Sequence, residues 1–204
     1  MTAPLGVILA GGRASRMGGG DKGRLMLGDQ SLLDLVITRL TPQVSGIALN
    51  ANGDAARFTD TGLPVLPDSL AGHPGPLAGV LAGLDWAAEL GADSIVSVAA
   101  DTPFFPENLV SKLQAASGSL PLALAASRDS EGKLWRQPTF GLWPVALREE
   151  LRQALTDGLR KVVQWTDAYD AATAEFPSTD FDPFFNVNTP EDLEAARTIY
   201  EAMA

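Results

Sequence analysis

The chain has 204 residues, 46% hydrophobic and 20% charged, with a formal net charge of −10 and no cysteine. That size suits one domain with a sizeable core, the acidity argues against general nucleic-acid binding, and the lack of cysteine excludes disulfides, thiolate catalysis and cysteine-bound zinc. No run approaches the ~18 apolar residues of a membrane span, and Met1-Thr2-Ala3-Pro4 does not open a signal peptide, so the expected location is cytoplasmic, away from any membrane.

The apolar run Leu5–Leu9 predicts a buried first strand. It empties into a glycine-rich stretch, Leu9 to Gly23, with six glycines among fifteen residues. Arg13, Arg16, Lys22 and the adjacent Arg24 supply four cations there, with Asp21 the one anion between them. In an acidic protein such a cluster addresses an anionic ligand. Bare backbone N–H groups at a strand exit suit a polyphosphate.

Apolar positions 32, 33, 36, 37 and 40 predict a helix from Ser31 to Thr41, with Ser31 as N-cap and Pro42 as stop. Val44–Ala51 reads as a second strand, ending in Asn50-Ala51-Asn52-Gly53. A short helical piece over Asp54–Thr59 leads to a third strand, Val65-Leu66, which ends at Pro67-Asp68. Pro74-Gly75-Pro76-Leu77 opens a longer helix with apolar positions 77, 80, 81, 84, 87 and 90, and Gly91 stands at its C′ position. Ser94–Ala100 has the near-continuous apolarity of a central parallel strand and terminates in Asp101-Thr102-Pro103.

A helix near Glu107–Ala116 and a strand over Leu122–Ala126 continue the alternation. Alternating strands and helices predict an α/β fold, a single-domain doubly wound, mostly parallel sheet of Rossmann-like type. Thr139–Trp143 is expected to pair antiparallel at or near an edge. Val145–Leu155 and Leu159–Trp165 read as helices, Phe176 and Phe184–Val187 as short extended pieces. The last helix starts with Thr189 as N-cap, Pro190 at N1 and Glu191 and Asp192 in its first turn.

In an open α/β sheet, ligands bind outside the carboxyl ends of the strands. Four consecutive strand exits offer suitable groups: the glycine-rich loop, Asn50, Asp68 and Asp101. Gly18, Gly20 and Gly23 satisfy G-x-G-x-x-G, yet they lie too far past the strand for a dinucleotide turn. The same stretch misses a Walker loop, because Arg24-Leu25 replaces the required lysine and hydroxyl.

Leu9-Ala10-Gly11-Gly12, Arg16-Met17-Gly18-Gly19 and Asp21-Lys22 resemble the signature of sugar-nucleotide and cofactor nucleotidyltransferases. Asp68-Ser69-Leu70, Pro74-Gly75-Pro76-Leu77-Ala78-Gly79, Asp101-Thr102-Pro103 and Asn186-Val187-Asn188-Thr189-Pro190-Glu191-Asp192 narrow it to a resemblance to the molybdenum cofactor guanylyltransferases, the MobA family. The resemblance implies transfer of GMP from GTP to molybdenum-bearing molybdopterin, with release of pyrophosphate. It implies that Leu9, Ala10 and Gly11 hold the nucleotide through the backbone, and that Lys22 contacts phosphates. Asn50 and Asp68 would meet the guanosine, and Asp101 both nucleotide and Mg²⁺. It implies a nucleotide half over about 1–104 and a second-substrate half over about 105–204, with Asn186 and Asn188 on the pterin side. Cofactor-delivery or acceptor molybdoenzymes are the implied protein partners.

The attacking phosphate is already an anion, so the chemistry asks for alignment and charge relief instead of a protein nucleophile. Arg16 and Lys22 suit the leaving pyrophosphate, and Asp101 suits Mg²⁺, which takes one or two carboxylates besides substrate phosphates. Asp-Gln-Ser after Gly28 departs from the family pattern and is expected to fall in a hairpin turn. His73 reads as incidental, and Trp86, Trp143 and Trp165 as packing residues. Trp135, beside a turn and Arg136, is the one tryptophan to weigh for base stacking, and Arg136-Gln137-Pro138-Thr139 is a candidate for the second-substrate side. A cytidylyltransferase acting on molybdopterin or an isoprenoid precursor, or a non-catalytic GTP-binding domain, are the alternatives.

Overall fold

A computed structural model describes residues 3–11, 21–70, 72, 75–120, 122–178 and 180–203. Arg13, Arg16, His73 and Pro74 lie outside the described residues.

Strand β1 (Leu5–Leu9) is apolar on both faces because both are covered: Val7 and Ile8 have no exposed surface. It pairs in parallel with β4 (Ile47–Asn50) on one side and β6 (Ser94–Ala99) on the other. Between β1 and β4 in sequence, β2 (Met26–Leu27) and β3 (Gln30–Ser31) form a small hairpin about Gly28, whose φ of +63° suits glycine. The expected turn therefore lies where the family pattern is broken.

Helix α1 (Leu32–Leu40) begins with a reciprocal cap, in which Ser31 Oγ accepts from the Asp34 N–H and Asp34 accepts from the Ser31 N–H. β5 (Val65–Leu66) borders the sheet beyond β4. Helix α2 (Pro76–Glu89) enters through Gly75 at φ +123°, with Pro76 at N1, and ends before Gly91 at φ +69°. Leu90, expected on the apolar stripe, is instead exposed at the helix cap.

Helix α3 (Leu109–Ser117) and strand β7 (Ala123–Arg128) follow as expected. The next strand does not. β8 (Leu134–Pro144) is eleven residues long and sits between β6 and β7, antiparallel to both. The order is β5-β4-β1-β6-β8-β7-β9, so the expected antiparallel pairing holds, but β8 is an interior strand, third from the β9 edge and not at it. The physical reason lies in its own side chains: Phe140, Leu142 and Trp143 are buried and need cover that a terminal strand lacks. The outer edge is taken by β9 (Ala172–Phe176), parallel to β7, where the sequence predicts only Phe176 as extended.

Helix α4 (Arg148–Thr156), reached through a 3₁₀ turn at Val145–Leu147, and α5 (Val162–Asp167) pack with α2 on one face of the sheet around Val7, Ile95 and Trp143. On the other face, α1 and α3 pack on Ile8, Val98 and Phe140. Phe184–Val187 is not a strand. A turn over Asp182–Phe185, with the Phe185 N–H donating to the Asp182 carbonyl, leads into irregular backbone through Val187.

A third, smaller cluster decides the position of the C-terminal segment. Leu27 of the hairpin, Leu32, Phe104 and Val187 pack with Ala196 of α6 (Pro190–Met203). That packing delivers Asn186 and Asn188 to the exit of β6, more than eighty residues earlier in the chain.

Candidate active site

The parallel strands end on one edge, and their exits surround a cleft of about 390 Å³. Leu9, Gly11, Asn50, Asp68 and Asp101 line it, as expected, together with Asn52 and Thr139, which sequence reasoning does not place there. Ala10 and Lys22 line a small recess that also touches Leu9 and Asp101. The structure thus brings every described nucleotide-side candidate to one edge; Arg16 lies outside the described residues.

At one end of the cleft, Asn50 is buried and its amide donates to the Leu66 carbonyl at 3.1 Å and to Asp68 Oδ1 at 2.9 Å. Asn52 donates to the other Asp68 oxygen at 2.7 Å and accepts the Asp68 N–H at 2.9 Å. Both carboxylate oxygens are therefore oriented by amides, which fixes the face that Asp68 offers. The one signal for Asn52 in the sequence is the Asn-x-Asn spacing at the exit of β4, which by itself marks only a strand end.

Helix α2 walls this end through glycine. A Cβ on Gly79 would sit 2.1 Å from Asn50 Oδ1 and 2.7 Å from Leu9 Cδ2. No side chain fits there, so the helix approaches β1 and β4 at backbone distance.

At the other end, Lys22 Nζ lies 3.4 Å from Asp101 Oδ2 and donates to Asn188 Oδ1, in a half-buried setting. The buried Thr102 hydroxyl donates to Asn186 Oδ1, and the Val187 N–H donates to the Asp101 carbonyl at 2.9 Å. Asn186 and Asn188 are thereby brought to the Asp101 and Lys22 end. Asn188 is in turn held by Asp192, whose carboxylate accepts the N–H groups of Asn188 and Thr189, both at 2.9 Å. Those bonds, that of Asn188 foremost, hold the Asp192 carboxyl below the usual aspartate range. Thr189 Oγ1 accepts the Asp192 N–H, completing the expected cap of α6.

Arg24 does not join Lys22 and Asp101. Its guanidinium forks onto Asp60, donates to the Arg57 carbonyl and lies 5.2 Å over the Phe58 ring. The expected cluster of four cations therefore loses one to structure.

Asp101 is the carboxylate at the Lys22 end, and among the described residues no three Asp, Glu or His gather. One oxygen-donor carboxylate beside a lysine ammonium fits Mg²⁺ shared with substrate phosphates, and no all-protein cage. Nothing in the donor set suits a softer metal.

Residues 6–172 match the model of the MobA-like NTP transferase domain. The chain belongs to the MobA-like NTP transferase family. A molybdenum cofactor guanylyltransferase of Bradyrhizobium sp. is 51% identical over 203 residues, covering 97% of this chain and 93% of its own. One from Rhodopseudomonas palustris is also 51% identical, over 95% of this chain and 91% of its own. The fold is shared with molybdopterin-guanine dinucleotide biosynthesis protein A of Archaeoglobus fulgidus, at a TM-score of 0.73 and 23% identity, with 98% of this chain and all of the other covered. In this MobA-like chain the expected α/β class holds, and β8 is the antiparallel strand of an otherwise parallel seven-stranded sheet.

Proposed function

We propose that this protein transfers GMP from GTP to molybdopterin carrying molybdenum and releases pyrophosphate. The observation that carries the reading is the meeting of Lys22 and Asp101 at one end of a cleft whose other end presents the amide-oriented Asp68. A nucleotide laid along the cleft has its base and ribose at Asn50 and Asp68 and its phosphates at Lys22. The half-identical, near-full-length relatives named as guanylyltransferases support the choice of GTP and of the molybdenum cofactor.

The acceptor phosphate of molybdopterin attacks the α-phosphorus of GTP, and the α–β bridging bond breaks to release pyrophosphate. No general base is needed, since the attacking group is already anionic. Lys22 supplies positive charge where the leaving group gains negative charge. Backbone groups of Leu9, Ala10 and Gly11 hold the triphosphate side against β1. Asp101 would hold Mg²⁺, which when bound neutralises phosphate charge. Arg16 is placed with the leaving group on the family pattern alone.

The reaction suits a cytoplasmic setting, with a cofactor-delivery protein or an acceptor molybdoenzyme as protein partner. Among the described residues no helix is long and apolar enough to cross a membrane.

The test is incubation of the purified chain with Mg²⁺ and molybdenum-bearing molybdopterin, with either GTP or CTP, under anaerobic conditions. Pyrophosphate and a guanine dinucleotide are expected with GTP. No product with either nucleotide, or preference for CTP, overturns the proposal.

A further inference from the structure

The short turn that carries Lys22 is clamped at both of its ends. Lys22–Arg24 is a 3₁₀ turn with Asp21 just before it, and its clamps come from a second 3₁₀ turn over Ala55–Thr61. Asp21 Oδ2 pairs with Arg57 Nε at 2.8 Å. Arg24 forks onto Asp60 and donates to the Arg57 carbonyl at 2.6 Å. Both guanidinium groups stand over the buried Phe58 ring, Arg24 at 5.2 Å and Arg57 at 4.9 Å.

The two clamps lead to different places. The bonds of Arg24 end at Asp60 and the Arg57 backbone, neither of which lines the nucleotide cleft. Arg57 continues inward, its Nη2 donating to the Asn52 carbonyl at 2.8 Å. Asn52 lines the cleft, and its side chain both donates to Asp68 and accepts the Asp68 N–H. One guanidinium thus joins the residue before Lys22 to the residue that aims Asp68. Gly53 makes room for it: a Cβ there would stand 3.1 Å from Arg57 Nη1, at a φ of +87° that favours glycine.

A guanidinium is planar and rigid, so donating from Nε and Nη2 to two acceptors fixes the distance between those acceptors. The pair is partly open to solvent, with 34% of the Arg57 side chain and 22% of Asp21 exposed, and such a pair contributes little to stability by itself. Its effect lies in geometry. A ligand that reaches both ends of the cleft gains from two sites held at the right spacing, whereas a fragment seated at one end does not.

We propose that Arg57 is a positioning residue that sets the spacing between the Asp68 end and the Lys22 end of the nucleotide cleft. The assignment of base to the first end and phosphates to the second rests on the reading under Proposed function. Arg57 touches no reacting atom in this role and acts through Asp21 and Asn52. Two simpler roles compete with it: a cation that attracts phosphate, and local support for Asp68 alone.

Displacement of a fluorescent GTP analogue, with Mg²⁺ present, gives dissociation constants for GTP, guanosine and tripolyphosphate. Arg57→Ala should weaken GTP by about 10-fold and each fragment by less than about twofold. A loss for tripolyphosphate equal to that for GTP would make Arg57 a phosphate cation; an equal loss for guanosine would reduce it to support of Asp68. Either result overturns the proposal. Arg57→Lys keeps the charge without the fork and should bind GTP about as weakly as the alanine variant, so recovery to wild-type affinity also overturns it. In the double-mutant cycle, Asp21→Ala with Arg57→Ala should lose no more GTP affinity than Arg57→Ala alone, to within about twofold, and losses that multiply overturn it. Arg24→Ala, which spares the chain from Asp21 to Asn52, is the matched control and should stay within about twofold of wild type; a loss equal to that of Arg57→Ala overturns the proposal. If GTP binding follows this pattern but no pyrophosphate forms with molybdenum-bearing molybdopterin, the spacing role stands and the activity falls. If product forms and the Arg57 variants bind GTP as wild type does, the activity stands and the spacing role falls. A wild-type chain that does not bind GTP overturns both.

Discussion

Lys22 donates to Asn188 across 166 residues of sequence, at a point where its ammonium also faces Asp101 at 3.4 Å. The ammonium is thus held between a neutral amide and one carboxylate in a half-buried setting. Preorganisation of this kind costs nothing further when charge develops in the transition state.

Lys22→Ala or Asp101→Asn should each lower turnover by about 100-fold or more, because each removes charge stabilisation from the phosphate end. Pyrophosphate release, with circular dichroism as the check on folding, measures it. Near-normal release from a folded variant would remove that residue from the mechanism.

Asn188→Ala and Asn188→Asp should differ. Alanine frees the lysine, with a loss of about 10-fold in kcat. Aspartate adds a second anion beside Lys22 and Asp101 and ties the ammonium down, so the loss should be larger. Steady-state kinetics with varied GTP and varied pterin decide it. An aspartate variant more active than the alanine variant would contradict the role given to this contact.

Gly79→Ala should cost about 2–3 kcal/mol, since a Cβ would stand 2.1 Å from Asn50 Oδ1. Gly83→Ala, with its Cβ 2.6 Å from Val7 Cγ2, should destabilise comparably through the core. The two separate in GTP affinity, because only Gly79 touches the residue that aims Asp68. Thermal unfolding together with calorimetric Kd gives the comparison, and equal affinity losses would mean the effect is only general loosening.

Arg24→Ala should leave kcat within about twofold, as its guanidinium is committed to Asp60, the Arg57 carbonyl and the Phe58 ring. Stability should fall only slightly, because that network is exposed to solvent. A large fall in kcat at saturating substrates would return Arg24 to the phosphates.

Asp192 gives a pH dependence with a definite sign. Its carboxyl is held below the usual aspartate range by the N–H of Asn188, so it stabilises the fold fully above the unfolded pKa. That contribution is lost as pH falls through the lower folded value. Asp192→Asn should lower stability at neutral pH by about 1 kcal/mol, and the gap to wild type should close in acid. Urea unfolding across pH tests it, and a gap that persists in strong acid would show that the charge is not responsible.

Local periodicity carried much of the fold. The apolar runs at Leu5–Leu9 and Ser94–Ala99, the Ser31 cap and the Thr189-Pro190 start all stand where the residue types require. Since parallel strands end on one edge, knowing the strands was enough to place Leu9, Gly11, Asn50, Asp68 and Asp101 around one cleft. The rest depended on partners chosen over long range. No local signal inserts β8 between β6 and β7, diverts Arg24 to Asp60, or has Asn52 hold Asp68. Nor does Asn-x-Asn-Thr-Pro announce that Leu27, Phe104 and Ala196 will bring it to Lys22. By itself the sequence determined which groups stand at the strand exits, because those follow from neighbouring residues. Only the tertiary structure decided which of those groups face one another, because that depends on how three separate apolar clusters pack.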